Sequence, residues 1–369
     1  MKTLRRNLNR PIKRIPDPLS IAAATSREHF RNILVVRQHD QLGDMLCAVP
    51  LLQTLRSAYP AARISLVTSP VNHEIMLHHP AVDEIIYYDK RTLRTDPARM
   101  WTFIRSLRTR HYDLAVVPAT VSLSTTSNVM ARLSGAAVRI GPGSLEGRRC
   151  ATSWCFTTPI DLGWRSAPHI HQSKRNLAIL SPLGLAGEEL TCTIGITGEE
   201  RASALSTLSA PRKRYRMLVG FHPGAGKVPN RWPAERFADL ADRIATRYGA
   251  GIVITEGPMD EQPVDEMRRH LHSPFELINA RPIREVAALI DQLDLYITND
   301  TGVMHIAGAT RPRLLSLFGP TDPLQWAPIG AKNRFITARD GNINSIPTAE
   351  VENTVDIMIL EIQRDLKLV

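Results

Sequence analysis

From residue 32 the chain alternates short apolar runs with longer amphipathic ones. "NILVV" (32–36) reads as a buried strand, and Met45, Leu46, Val49, Leu52 and Leu55 recur at the spacing of one helical face. "ARISLVT" (62–68), "DEIIYY" (83–88) and "DLAVV" (113–117) continue the strand series, with helices expected near 71–78 and 97–110. Strands that alternate with helices pair in parallel, and the helices then cover both faces of the sheet.

Residues 141–168 carry "GPGS", "TTPIDLG" and "RSAP", so turn formers dominate and the segment is expected to be irregular. "HIHQSKRNLAILSPLGL" follows as a helix that stops at Ser181, Pro182 and Gly184. A linker is placed near 183–190, before a second alternating series opens at "YRMLVGFHPGAG" (215–226). That series continues as helix 233–248, with Pro233 in its first turn, strand 251–255, helix 260–271 and strand 275–279. Helix 283–293, strand 294–300, a short helix from Gly302 and strand 313–320 complete it. Two α/β halves are expected, 31–182 and 183–345, with a final segment 346–369 whose helix suits either half.

The formal net charge of +10 favours an anionic partner: nucleic acid, an acidic membrane surface or a phosphorylated small molecule. Lys2, Arg5, Arg6, Arg10, Lys13 and Arg14 make residues 1–30 a basic extension, expected to be mobile, either a solvated arm or an anchor on anionic lipid. Pro11, Pro16 and Pro18 interrupt it where a secretory signal needs an apolar stretch, and no run is long enough to cross a bilayer. A cytoplasmic protein is expected, with any membrane contact peripheral. Cys47, Cys150, Cys155 and Cys192 have no zinc or redox spacing and read as packing residues. An aromatic content of 5% and the lack of a nucleic-acid module disfavour base-stacking recognition, so no nucleic acid is expected as a partner.

In open parallel sheets ligands bind beyond the carboxyl ends of the strands. Four loops lie there: "QHDQLGD" (38–44), "HPGAGKVPNRWP" (222–233), "EGPMDE" (256–261) and "NDTGVMH" (299–305). In the second, Gly224 and Gly226 allow close backbone approach while Lys227 and Arg231 supply charge for phosphate. The Walker pattern fails there, because Val228 follows Lys227, and no GxGxxG follows the first strand. In the fourth loop Asn299, Asp300 and Thr301 are placed to cap a helix whose first N–H groups, including that of Gly302, face an anion. The histidine spacings match no zinc motif, and His305 sits one turn inside that helix. Asp44 is either a helix-start carboxylate held by the dipole or a catalytic group.

Taken in order, "LVVRQHDQLGDMLCAVPLLQTLRSAYP", "HPGAGKVPNRWP" and "TNDTGVMHIAGATRPRLLSLFGPTDPLQWAP" resemble the lipopolysaccharide heptosyltransferases, glycosyltransferase family 9, over most of residues 31–345. The resemblance implies a GT-B architecture, two Rossmann-like domains with parallel sheets facing a central cleft. The first half would bind a lipid-anchored, phosphorylated oligosaccharide acceptor and the second a nucleotide sugar, ADP-heptose, with no cofactor and no metal. Family members often send their final helix back to the first domain. By the family pattern Asp44 matches the general base, with Arg37 and Gly43 in the acceptor-side loop. Asp300, Thr301, Gly302 and His305 match the donor block, and Glu261 matches a glutamate near the ribose. One departure stands out: Asn230 occupies the position two before the Trp of "WP", where the family often has Lys. It leaves open the same scaffold with another nucleotide sugar or acceptor; a non-catalytic nucleotide-binding or nucleic-acid-binding protein is the rival from another class.

Overall fold

After Asn32 every residue of strand β1 (Asn32–Arg37) is buried, which requires cover on both faces. The computed structural model describes residues 30–39, 41–119 and 121–367, apart from the side chains at 93, 94, 366 and 367. The basic extension, with its expected mobility and lipid contact, lies outside the described residues except for Phe30. That side chain is buried and meets the ring of Tyr59 edge-on, with centroids 5.4 Å apart.

The first sheet contains β1, β2 (Arg63–Thr68), β3 (Glu84–Tyr87), β4 (Leu114–Val116), β5 (Val138–Leu145), β6 (Arg148–Arg149) and β7 (Thr158–Leu162). The second contains β8 (Leu218–His222), β9 (Gly251–Thr255), β10 (Phe275–Ile278), β11 (Leu295–Asn299), β12 (Arg313–Phe318) and β13 (Asn333–Thr337). Their orders run β3-β2-β1-β4-β5-β6, with β7 also on β5, and β10-β9-β8-β11-β12-β13. Every pairing is parallel except β5 with β6. In both sheets the strand order reverses beside the first strand, between β1 and β4 and between β8 and β11. A crevice opens at such a reversal, so the loops after β1, β8 and β11 are brought to the positions where a ligand fits.

Period-two alternation divides the apolar residues into layers. Leu34 and Val36 face an outer cluster with Phe103, Leu107 and Met130. Ile33 and Val35 join a cluster that runs on through Leu218, Val253, Tyr296 and Phe318, so one apolar body spans both sheets and the interface between them. Leu295 and Ile297 face a third cluster on the far side of the second sheet.

The segment expected to be irregular, 141–168, instead supplies β7 and most of β5. Pro and Gly disguise these strands, because they lie near a sheet edge, where a missing N–H or a register shift between Pro142 and Ser144 is tolerated. Gly141 is required there, since a Cβ would sit 2.2 Å from the Phe156 ring. Helices Gly198–Thr207 and Ser209–Arg214 precede β8, earlier than the periodicity begins. They bury little besides Ala204 and Pro211, with Leu208 buried between them, although the capping box of Thr197 and Glu200 marks the start. Pro233 is the residue just before its helix, Ala234–Tyr248, and not in the first turn.

The final helix, Thr348–Lys367, does not return to the first half. Val351, Val355, Met358, Ile359 and Ile362 all pack into the outer cluster of the second sheet, contributing about 1.5–3 kcal/mol each. Asp356 accepts from Arg243, Arg247 and Tyr248 of the Ala234–Tyr248 helix, which fixes its rotation.

Candidate active site

Asp44 lies in the first turn of a five-residue helix, Leu42–Leu46, that follows β1. It caps nothing: the N-cap is Gln41, and no side chain satisfies the helix start. Its Oδ1 accepts from Arg37 Nη2 at 2.8 Å, and the two side chains are only 8% and 2% exposed. Burial pulls the Arg37 guanidinium below its usual value against the opposing pull of the Asp44 carboxylate. A buried pair of this kind is costly to break from one side.

Three residues outside the expected set hold the loop before Asp44. Asn72 Nδ2 donates to the carbonyls of His39 at 2.5 Å and Gln41 at 3.4 Å, and Ser69 Oγ donates to that of His39 at 3.1 Å. Gln38 Nε2 donates to Ser124 Oγ at 2.9 Å. Ser69 follows β2 and Ser124 lies beyond β4, so both come from loops at the same carboxyl edge. A cavity of about 950 Å³ opens beside them, lined among others by Gln38, Ser69, Tyr87, Lys90 and Arg91. Tyr87, Lys90 and Arg91 are exposed.

In the second half, Asn299, Asp300 and Thr301 do not cap the helix Gly302–Gly308 as expected. Thr301 stands at the N-cap with no side-chain bond. Asn299 instead ties two loops together, accepting from Trp232 N at 3.0 Å and donating to the carbonyls of Pro223 and Gly224. Asp300 accepts from Asn230 Nδ2 at 2.9 Å, and burial pushes its carboxyl up from the usual range. Asn230 thus presents a neutral donor to Asp300.

The glycines of "HPGAG" divide. Gly224 is packed on a buried carboxylate, for a Cβ there would lie 2.1 Å from Asp260 Oδ1; its lack of a side chain makes room for protein. Gly226 has open space and is exposed beside Lys227, whose side chain is also exposed. Arg231 spends Nε on the Ala225 carbonyl at 2.8 Å and Nη1 on Gln262 at 3.3 Å. Asp260 in turn accepts from Gly257 N at 3.1 Å and lies 3.4 Å from His222 Nε2. Glu261, the first residue of the next helix, Glu261–His270, is exposed.

The Gly-Asp turn and the "NDTGVMH" segment meet. A Cβ on Gly43 would stand 2.7 Å from His305 Nε2, and one on Gly302 would stand 3.5 Å from Leu42 Cβ. The short helices that carry Asp44 and His305 are therefore packed on each other across the cleft. His305 is buried with its ring nearly perpendicular to that of Trp326, and burial together with nearby His171 lowers its pKa to about 3. Flanking contacts join the halves here too: His169 Nδ1 with Asp322 Oδ2 at 2.7 Å, and His171 Nε2 donating to the Ala327 carbonyl at 3.1 Å.

Burial also holds His79 and His171 at about 4, against an ordinary 6.5. Below 6.5 the unfolded chain takes up protons that these folded histidines refuse. Stability is therefore complete above that pH and falls on acidification toward 4, by about 1.4 kcal/mol per pH unit for each histidine. Denaturant titrations at neutral pH and at pH 5 check this; equal stability at both would contradict it.

Cys47 is buried and its thiol is pushed well up by desolvation, so it is no nucleophile. Among the described residues no group of three or more His, Cys, Asp or Glu side chains is placed to hold a metal ion.

Comparison with known proteins adds an independent line. The model of glycosyltransferase family 9 (heptosyltransferase) matches residues 100–354, more than half of the chain, though not the Gly-Asp turn itself. Lipopolysaccharide heptosyltransferase 3 of Escherichia coli K12 is 28% identical over 316 residues, covering 83% of this chain and 87% of its own length. Lipooligosaccharide heptosyltransferase 2 of Haemophilus influenzae is 23% identical over 348 residues, 91% and 97% of the two chains. The family 9 glycosyl transferase structure from Veillonella parvula superposes with a TM-score of 0.79 at 21% identity, covering 91% and 99% of the two chains. For E. coli ADP-heptose lps heptosyltransferase II the TM-score is 0.73 at 21% identity, with 90% and 99% covered. Two facing parallel sheets, the late sequence block and these matches agree: the chain belongs to glycosyltransferase family 9 (heptosyltransferase) and is a glycosyltransferase of GT-B fold.

Proposed function

We propose that this chain transfers heptose from ADP-heptose to the inner core of lipopolysaccharide at the cytoplasmic face of the inner membrane, by an inverting displacement in which Asp44 is the general base. The observation that carries the reading is the contact of Gly43 with His305. It supports the reading because the turn that carries the buried Asp44 then adjoins the segment assigned to the donor.

Chemically, an acceptor hydroxyl loses its proton to Asp44 as its oxygen attacks the anomeric carbon from the face opposite ADP. The bond to the β-phosphate oxygen breaks, and ADP leaves with the electron pair. One carboxylate is enough, because a nucleoside diphosphate needs its developing charge stabilised more than it needs a proton. Arg37 fixes the Asp44 carboxylate through its guanidinium. Lys227 is the cation for the departing pyrophosphate, since Arg231 is engaged with Ala225 and Gln262 and Asn230 is neutral. Gly226 leaves room for phosphate at that loop. Glu261 is assigned to the ribose and Asp300, Thr301, Gly302 and His305 to the donor; His305 acts there as a neutral imidazole. The cavity at Tyr87, Lys90 and Arg91 suits the acceptor, offering an aromatic face and two exposed cations to a phosphorylated sugar.

A structure of an E. coli heptosyltransferase with ADP and one with ADP-2-deoxy-2-fluoro heptose support the donor assigned here. The Asn230 bond to Asp300 favours one alternative, the same scaffold with another nucleotide sugar. Thermal-shift titration with ADP, UDP and GDP decides between them. ADP is expected to stabilise most, by about 2.7 kcal/mol at a hundred times its Kd. A clear preference for UDP or GDP would sink the heptose assignment.

A further inference from the structure

Away from the Gly-Asp turn, one side chain gathers four segments of the chain. Arg284, in the second-half helix Ile283–Ile290, is 11% exposed, and all its N–H groups have acceptors. Nη1 donates to the carbonyls of Glu74 at 3.0 Å and Leu77 at 2.9 Å. Nη2 donates to the Gly195 carbonyl and to Glu200 Oε2, each at 2.6 Å, and Nε donates to Glu200 Oε1 at 2.5 Å. Glu74 and Leu77 end the first-half helix Pro70–Met76, where a cation complements the dipole; the Glu74 carbonyl also accepts from the Leu77 N–H at 3.1 Å. Gly195 belongs to the connection between the halves, and Glu200 to the first helix of the second half.

The backbone is jammed at the same place. A Cβ on Gly195 would stand 2.1 Å from the His78 carbonyl oxygen, and His78 itself has φ +61°, in the left-handed region. The connection and the turn after Pro70–Met76 are therefore in direct backbone contact, with no room for a side chain between them. Beside this point lies a cavity of about 580 Å³, lined by Glu74, Leu77, Ser203 and Leu289 among others, so the contact between the halves is open around the clamp.

The opposite end of the Pro70–Met76 helix is the part that holds the catalytic loop. Asn72 and the preceding Ser69 donate to the carbonyls of His39 and Gln41, which lead directly to Asp44. We propose that Arg284 is the pivot between the halves and a positioning residue for transfer, passing their mutual setting through the Pro70–Met76 helix and Asn72 to the loop that carries Asp44. The arginine also holds the Glu200 carboxyl down at about 2, so the pair stays ionised at any working pH. A lysine restores charge at the helix end but cannot form the fork.

The role in turnover rests on the transferase reading above; the pivot itself does not. In full-length protein, R284A is expected to lower kcat/KM for the acceptor about 10–100-fold while ADP affinity by calorimetry stays within about twofold. R284K should recover only a small part of that loss. Small-angle scattering of the same samples should show R284A more extended than wild type. Turnover within about twofold of wild type in both variants, or ADP affinity falling in step with turnover, would overturn the positioning role. Superimposable scattering curves would overturn the pivot, whatever wild type proves to transfer. If R284A does not fold, R284K must show the same split between turnover and ADP binding; wild-type behaviour in R284K overturns the proposal.

Discussion

Asp44→Asn is expected to reduce heptose transfer by about 10²–10⁴-fold while leaving ADP binding intact, because the amide keeps the shape of the carboxylate and cannot take a proton. The substitution also leaves Arg37 as a buried cation whose carboxylate is gone. Breaking such a pair from one side costs about 3–5 kcal/mol, so the variant should melt earlier as well. Chemistry and folding can be separated by adding Arg37→Met, which replaces the orphaned charge with a side chain of similar length. The double variant should regain stability and remain inactive. Turnover of Asp44→Asn within about tenfold of wild type would remove Asp44 from the role of base.

Gly43→Ala is the second large effect. The new methyl would stand 2.7 Å from His305 Nε2, and His305 is buried against Trp326, so the ring has little room to yield. Overpacking costs about 1–3 kcal/mol. The larger consequence is functional: the helix with Asp44 and the helix with His305 must separate, and a shift near 1 Å at a reacting centre costs about 100-fold. Pairing it with His305→Ala tests the cause, since removing the ring removes the clash. In a double-mutant cycle the two changes should then couple by about 0.5–3 kcal/mol, with the double variant more stable than additivity allows. Gly43→Ala with unchanged melting and turnover would show that the halves do not meet at this contact in solution.

The central strands of both sheets are legible from apolar runs because a parallel sheet covered on both faces leaves almost no polar interruptions, whereas the edge strands β6 and β13, mostly exposed or half-buried, carry no such run. β5 and β7 are not legible either, since Pro142, Gly143 and Pro159 read as turns, and only their place near an edge lets them pair. The direction of the final helix was equally hidden. Val351, Val355 and Met358 make an apolar face that suits either half, and the choice rests on Arg243, Arg247 and Tyr248, more than a hundred residues away in sequence.

At the site, the places of Asp44 after β1 and of Asp300 to His305 after β11 are legible from the strand pattern. What could not be read was how these residues are held. Asn72, Ser69 and Asn299 act by donating to carbonyls of distant loops, a role any polar side chain at a strand end can play and no spacing announces. Gly224 has a packing role that the sequence did not announce. Its sequence context suggested room for phosphate, whereas the space it leaves is taken by Asp260. Asn230 becomes interpretable only through its bond to Asp300, which no spacing in the sequence announces.

The most direct test of the account is a transfer assay with wild-type protein, ADP-heptose and a truncated core acceptor, following the anomeric configuration of the product by NMR. Transfer to the acceptor with inversion at the anomeric carbon is expected. Retention of configuration, or no transfer from ADP-heptose under conditions where another nucleotide sugar is used, would contradict it.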